Sequence, residues 1–327
     1  MSKENIDIKE NEIIKLDLEL LCILLEDKTT KQNIIWATDN YSSKGIGYQP
    51  KDAITLYNIT GKQGNVIKPR VEKTKQEQQL RVKNKAEVFT PSWICNKQNN
   101  LVDNAWFGQE NLFNTEEEKT WHTNHNKIPF PTKDGKTWQD YVKSTRMEIT
   151  CGEAPYLTSR YDTVSGEFIQ VADRIGLLDR KLRVVSENVD NEPEWVNWAK
   201  QAIKSVYGYD WQGDNVLLAR ENLLYTFADY YMAKFDVAPI KEYLVDVAQI
   251  LAWNIWQMDG LKCVVPNSCT NTEQIVYTIF GEERTQITCP GCKNNNIHRH
   301  NGTYCYIMDW EKNKKIKFVN MTKGRKK

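Results

Sequence analysis

The stretch Met147-Glu-Ile-Thr-Cys-Gly-Glu-Ala-Pro-Tyr-Leu157 constrains the fold most, because a short apolar strand there runs into a small-residue turn carrying Gly152 and Glu153. Such a turn lets a strand stop and its backbone press against a small-molecule ligand, since only a residue without Cβ tolerates that approach. Three further segments follow the order expected of a nucleotide-like cofactor pocket: Ala86-Glu-Val-Phe-Thr-Pro91 upstream, then Tyr207-Gly-Tyr-Asp210, then Asn254-Ile-Trp-Gln-Met-Asp-Gly-Leu261. Helical patterns lie between them. Residues 174–185 read as an amphipathic helix, and Pro193 opens a second in which Trp195, Trp198, Ala199, Ala202 and Ile203 recur at helical spacing. Residues 215–232 form an apolar third, and 240–258 a further helix with a strand-like end at Asp259. This alternation predicts an α/β fold with a Rossmann-like, doubly wound parallel sheet that binds ligands at the carboxyl ends of its strands.

The 327 residues suffice to bury a large core without covalent staples. Residues 1–80 read as a helical and irregular N-terminal arm. Apolar positions from Ile13 to Leu25 suit one buried helix over 12–26, and short β-branched runs broken by Asn, Gly and Pro fill 31–68. Residues 104–141, with Pro129 and Pro131, read as a loop-rich connection in which His122 and His125 face solvent. Forty-four Lys and Arg against forty-three Asp and Glu leave almost no net charge, so any grip on nucleic acid must come from local patches. Two exist: 68–85, which includes Lys73, Arg81 and Lys85, and the tail 312–327, each equally well a solvated face. Arg174, Arg180 and Arg183 on one helix either reach phosphates or lace its surface with ion pairs. No apolar run approaches bilayer length and no signal-peptide pattern opens the chain, so the expectation is a cytoplasmic protein with no membrane partner. Eight cysteines are then expected as reduced thiols or metal ligands.

Asp210, ending a strand, is placed to accept from both hydroxyls of a ribose, or else it is a helix N-cap or a surface carboxylate. Asp259 could accept from the amine of an adenine, or make a simple turn with Gly260. Phe89 and Pro91 offer apolar surface and Thr90 a hydroxyl to a cofactor, and Trp211 is a neighbour through its place beside Asp210.

In order and wording these segments resemble the adenine-specific DNA methyltransferases of restriction-modification systems, in the subgroup whose FTP loop precedes the glycine loop. The resemblance rests on Ala86-Glu-Val-Phe-Thr-Pro-Ser-Trp-Ile-Cys95, Glu148-Ile-Thr-Cys-Gly-Glu-Ala-Pro-Tyr156, the strand acid and helix start in Val206-Tyr-Gly-Tyr-Asp-Trp-Gln-Gly-Asp-Asn215, and residues 250–261. It covers residues 81–262 and extends to proteins labelled restriction endonuclease subunit M. It implies a class I methyltransferase domain over 81–262 with S-adenosylmethionine as cofactor and DNA as partner. By the same resemblance Glu148 and Gly152 lie near the cofactor's methionine part, Asp210 lies on the ribose and Asp259 on the adenine, with Cys151 among the cofactor-binding residues. The pattern then breaks. These enzymes carry an Asn/Asp-Pro-Pro-Tyr/Phe loop that engages the flipped base, and no such tetrapeptide occurs in this chain. Val264-Val-Pro-Asn-Ser-Cys269 stands near its expected place, and Glu153-Ala154 replaces a second glycine. The catalytic residues are therefore unknown. Either a partner chain brings the missing loop, or the chain is a non-catalytic, cofactor- or nucleic-acid-binding regulatory subunit.

Residues 263–327 form a Cys-rich, zinc-knuckle-like lobe with a basic tail. Cys289-Pro-Gly-Cys292 is half of a tetrahedral zinc site, which Cys305 with His300, or an upstream Cys263 or Cys269, would complete as a structural centre.

Overall fold

The computed structural model describes residues 9–130, 135–279 and 281–322. The first eight residues, Pro131 and the end of the basic tail lie outside the described residues. The arm opens with two helices, α1 (Glu10–Leu16) and α2 (Leu18–Leu25), where periodicity predicts one. Asp17 makes the break. Its N–H closes α1 on the Ile13 carbonyl at 2.9 Å, while its extended backbone lets the carboxylate accept from Glu19 N–H at 2.8 Å and cap α2. Loops follow, bridged at Ile35 and Ala53, then α3 (Leu56–Ile59), α4 (Lys75–Lys85) behind a Thr74–Glu77 capping box, and α5 (Ser92–Phe107). A hairpin of β1 (Asn114–Glu117) and β2 (Thr120–Thr123) and the short α6 (Trp138–Lys143) complete the connection.

The segments singled out by sequence become one parallel sheet in the order β3 (Arg146–Ile149), β4 (Val206–Asp210), β5 (Ile255–Gln257). Met147 aligns with Tyr207 and Gly208 with Ile255. Parallel neighbours need crossovers, and helices supply both. The first carries α7 (Leu177–Asn188) and α8 (Glu192–Lys204), the second α9 (Gly213–Phe235) and α10 (Lys241–Asn254).

Successive strand residues face opposite sides, and the two sides are covered differently. Val206 and Ile255 join the helical core with Leu182, Trp195, Leu217 and Leu251. Tyr207, Tyr209 and Trp256 face away from it. The alternation predicts helices on both faces; the second face instead takes the C-terminal lobe. That lobe holds the hairpin β6 (Thr272–Thr278) and β7 (Gly281–Ile287), the single turn α11 (Pro290–Lys293), and the pair β8 (Tyr306–Asp309) and β9 (Lys314–Lys317). The physical reason is aromatic: Phe318 sets its ring 5.9 Å from Tyr209 and 5.2 Å from Trp256, and Ile307 packs beside them. The result is a mixed α/β fold with small sheets. β3 is an edge strand, and its Met147 and Ile149 are exposed. No helix among the described residues is long and apolar enough to cross a membrane.

Helix α9 is buried on nearly every face, charged residues included. Arg220 shows why that is tolerated. It donates to the carbonyls of Leu24 at 2.6 Å, Glu26 at 3.0 Å, Ala252 at 3.1 Å and Ile255 at 2.8 Å, satisfying acceptors where α2 and α10 end. Burial lowers its pKa only to about 10, so it stays charged at neutral pH. Replacing Arg220 with Met strips the partner from several buried carbonyls, and a stability loss of roughly 3 kcal/mol or more is expected, read as a lower urea midpoint.

Candidate functional site

A cavity of about 850 Å³ opens at the carboxyl ends of β3 and β4, within the range of about 300–1,000 Å³ typical of small-molecule sites. Glu148, Cys151 and Gly152 come to it from β3 and its loop, and Asp210, Trp211 and Asn215 from β4 and the start of α9. Phe89 and Thr90 contribute from the chain before α5. Sequence reasoning missed the far wall, made by Ala37, Thr38, Asp39 and Pro50 of the arm and by Asn267. The signal that could have located the arm is Gln257 at the end of β5. Its amide accepts from Ile35 N–H at 2.9 Å and donates to Ile35 O at 2.7 Å and Trp211 O at 2.9 Å, so the arm is pinned across the sheet's end.

The turn after β3 is built from alternating left-handed residues: Thr150 at φ 48°, Gly152 at 54° and Ala154 at 63°. Glycine adopts this region without the cost a Cβ imposes, so φ is what favours it at position 152. A Cβ there would merely touch the Phe89 ring at 3.7 Å. Glycine's role is thus conformational. Thr150 holds the same conformation with a branched Cβ, at a cost of about 1–2 kcal/mol.

Asp210 fixes this turn. Its Oδ2 accepts from Gly152 N–H at 3.0 Å, and its Oδ1 accepts from Gln212 N–H at 2.9 Å and from the Asn215 amide at 3.4 Å. A carboxylate offers about four acceptor positions, so three are used and one remains for a ligand. The carboxylate thus keeps one open acceptor position, where the sequence led to the expectation of two for a pair of hydroxyls. Burial, partly offset by these donors, raises its pKa to about 6. Glu148 accepts from Tyr156 N–H at 3.4 Å and Leu157 N–H at 3.2 Å, and burial raises its pKa to about 8. Neither carboxyl has an ion-pair partner among the described residues. The other acids near the rim do: Asp39 pairs with Lys85 at 2.5 Å and Glu87 with Arg81 at 3.0 Å. Thr38 Oγ1 and Asn215 Oδ1, both on residues of the cavity wall, are buried without a hydrogen-bond partner.

Several predicted residues lie elsewhere. Pro91 is the N-cap of α5 and is not part of the cavity wall. Asp259 also stays outside it. Its Oδ1 accepts from Leu261 N–H at 3.0 Å and Lys262 N–H at 3.2 Å, and its Oδ2 pairs with Lys262 at 3.3 Å, so it makes the simple Asp-Gly turn. The phosphate-contact reading of Arg174 and Arg180 fails because both point inward, Arg174 to Asp229 and Arg180 to Asp103, Asn96 and Asn100. Within the basic stretch 68–85, Lys73 and Arg81 are likewise buried, Arg81 beside Asp214 and Tyr41. His122 and His125 are exposed, beside Glu117 and Asp173.

In the C-terminal lobe Cys289, Cys292 and His300 do come together, with Cys269 as the fourth member of a group that could hold a metal ion. Cys305 does not join them. Its thiol lies in the aromatic core on the sheet's second face, 3.5 Å from Gln257 O, and burial pushes its pKa well up.

Asp210→Ala releases the Gly152 and Gln212 amides, so hydrogen exchange over 150–154 should accelerate with a stability loss of about 1–3 kcal/mol. Unchanged exchange there would show that the carboxylate does not hold the turn. Comparison with known proteins returns no matching family model, no similar curated protein and no similar solved structure.

Proposed function

We propose that the cavity binds S-adenosylmethionine and that the chain is the cofactor-binding, modification-type subunit of a DNA adenine-N6 methyltransferase. The three parallel strands would then be one half of a Rossmann-like methyltransferase sheet. The observation that carries this reading is the pair of buried carboxyls without cations, Glu148 and Asp210, on the walls of a cavity that Phe89 and Trp211 also line. A site of this kind favours a ligand that is cationic, bears hydroxyls and presents a flat ring, and S-adenosylmethionine is all three. Its sulfonium and ammonium complement the acids, and a ribose hydroxyl suits the acceptor position left on Asp210. When bound, the group supplies an activated methyl for direct transfer to an amine. The chain's own residues hold the ligand: Asp210 and the amides of the 150–154 turn set the ribose end, and Glu148 balances positive charge. With Asp259 engaged in its turn, the adenine is left to the rings of Phe89 or Trp211.

The absent Asn/Asp-Pro-Pro-Tyr/Phe loop favours a partner chain for the base. Asn267 borders the cavity near where such a loop would stand, but its amide donates to Ala37 O at 3.1 Å and Pro50 O at 3.4 Å and serves as a strut. The open edge of β3 is consistent with a partner that extends the sheet. The second reading, a regulatory subunit that binds the cofactor without any transfer, rests on the same missing loop. The Cys3His group is read as a structural zinc site.

Labelled S-adenosylmethionine incubated with the purified chain and DNA separates these outcomes. Binding without transfer, with adenine methylation appearing once a partner subunit is added, is expected. Binding with no transfer under any partner supports the regulatory reading, and absence of cofactor binding overturns the proposal. Glu148→Gln keeps the shape and removes the charge that Glu148 carries above its raised pKa of about 8, so a cofactor affinity about tenfold weaker at alkaline pH is expected by equilibrium titration.

A further inference from the structure

The lobe that covers the second face of the sheet contains a group of four ligands whose spacing can be tested against a metal's own geometry. His300 Nδ1 lies 3.5 Å from Cys269 Sγ, 3.6 Å from Cys289 Sγ and 3.7 Å from Cys292 Sγ, and Cys269 Sγ lies 3.6 Å from Cys292 Sγ. Zinc bonds of about 2.3 Å to sulfur and about 2.0–2.1 Å to nitrogen, at tetrahedral angles, require S–N edges of about 3.6 Å and S–S edges of about 3.8 Å. The observed edges match. The Cys269–Cys292 separation is far longer than a disulfide's S–S bond. Chain conformation supports the same centre. A Cβ on Gly291 would sit 2.6 Å from both N and Nδ1 of His300, so only glycine between Cys289 and Cys292 lets the imidazole reach the thiols. Asn301 N–H points to Cys289 Sγ at 3.4 Å, the outer-sphere donor expected of a bound thiolate.

The centre sits where two structural needs converge. Cys269 precedes β6 and Cys289 follows β7, so the group ties together both feet of the hairpin. The described side chains of that hairpin are exposed, Tyr277 and Ile279 among them, and a two-stranded ribbon without a core is marginal alone. On the other side, Cys269 is two residues from Asn267, which donates to Ala37 O, and that carbonyl also accepts from the Trp211 indole at 3.2 Å. Asn267, Ala37 and Trp211 all border the cavity.

Resting on the zinc reading given above, we propose that a single metal ion held by Cys269, Cys289, Cys292 and His300 clamps the hairpin arm and, through Asn267, the outer wall of the ligand cavity. The metal is a closed, four-ligand structural centre, and Cys305 is no part of it.

Full-length protein purified without chelator should carry about one zinc per chain, and its cobalt-substituted form should show the intense visible bands of a tetrahedral thiolate site. Cys292→Ser or Cys269→Ser should lose those bands, while Cys305→Ser keeps them. Stripping the metal from the wild-type chain, which needs no variant to fold, should speed hydrogen exchange about tenfold or more over 263–269 and 272–287 and leave β4 protected. These readouts involve no cofactor, so they succeed or fail independently of S-adenosylmethionine binding. A metal-free wild type, or a site that Cys305→Ser abolishes and Cys269→Ser spares, overturns the ligand set. A bound metal whose removal leaves exchange at 263–269 unchanged overturns the clamp.

Discussion

The carboxylate of Asp210 is the contact on which the site depends. It ends the central, wholly buried strand and takes donors from three places: the turn after β3, the start of α9, and the Asn215 side chain one turn into that helix. Without it the alternating left-handed turn at 150–154 would lose the side chain that holds its Gly152 amide. Among the described residues no cation pairs with Asp210, so it faces the cavity as a buried acid with spare acceptor capacity.

This explains why the cavity's charge is divided. Rim acids are neutralised by neighbouring basic residues, whereas Glu148 and Asp210 are held only by hydrogen-bond donors and by burial, which raises both pKa values toward neutrality. The sign of the consequence is fixed. A raised carboxyl pKa means that the folded chain holds a proton the unfolded chain has released, so these groups stabilise the fold at low pH and that stability falls as pH rises from about 4 to about 8. A cationic ligand reverses the preference by favouring the ionised acids. Stability is thus given up where binding gains, as preorganised sites commonly show.

Much of the core was legible in the sequence, and for local reasons. Strand 206–210 ends at Asp210 between helical stretches long enough to cross over, which points to parallel neighbours, whereas the helix expected over 240–258 stops at Asn254 and gives way to the strand 255–257. What the sequence could not carry were partners distant in the chain. Asp259 reads the same whether it meets an adenine or the backbone of Leu261. Arg81 and Arg180 look like surface charge until Asp214 and Asp103 are folded against them. Cys305 stands nearer to His300 than Cys269 does along the chain, yet the hairpin returns Cys269 to the thiols while Cys305 follows β8 into the core. The arm residues 37–39 carry no motif at all, because they line the cavity through partners distant in the chain: the clasp of Gln257 on Ile35 and the Asn267 and Trp211 donors on Ala37 O. The N-terminal helix splits because Asp17, polar in an apolar run, is used as a cap.

Ligand binding at this site depends on the two acids meeting a cation. The most direct measurement is the affinity of the purified chain for S-adenosylmethionine as a function of pH, since the sulfonium keeps its charge throughout. Affinity is predicted to rise as pH increases through about 6 and again toward about 8, with the upper step absent in Glu148→Gln. Affinity that is flat or falls over that interval, or a wild-type profile unchanged by Glu148→Gln, would contradict it.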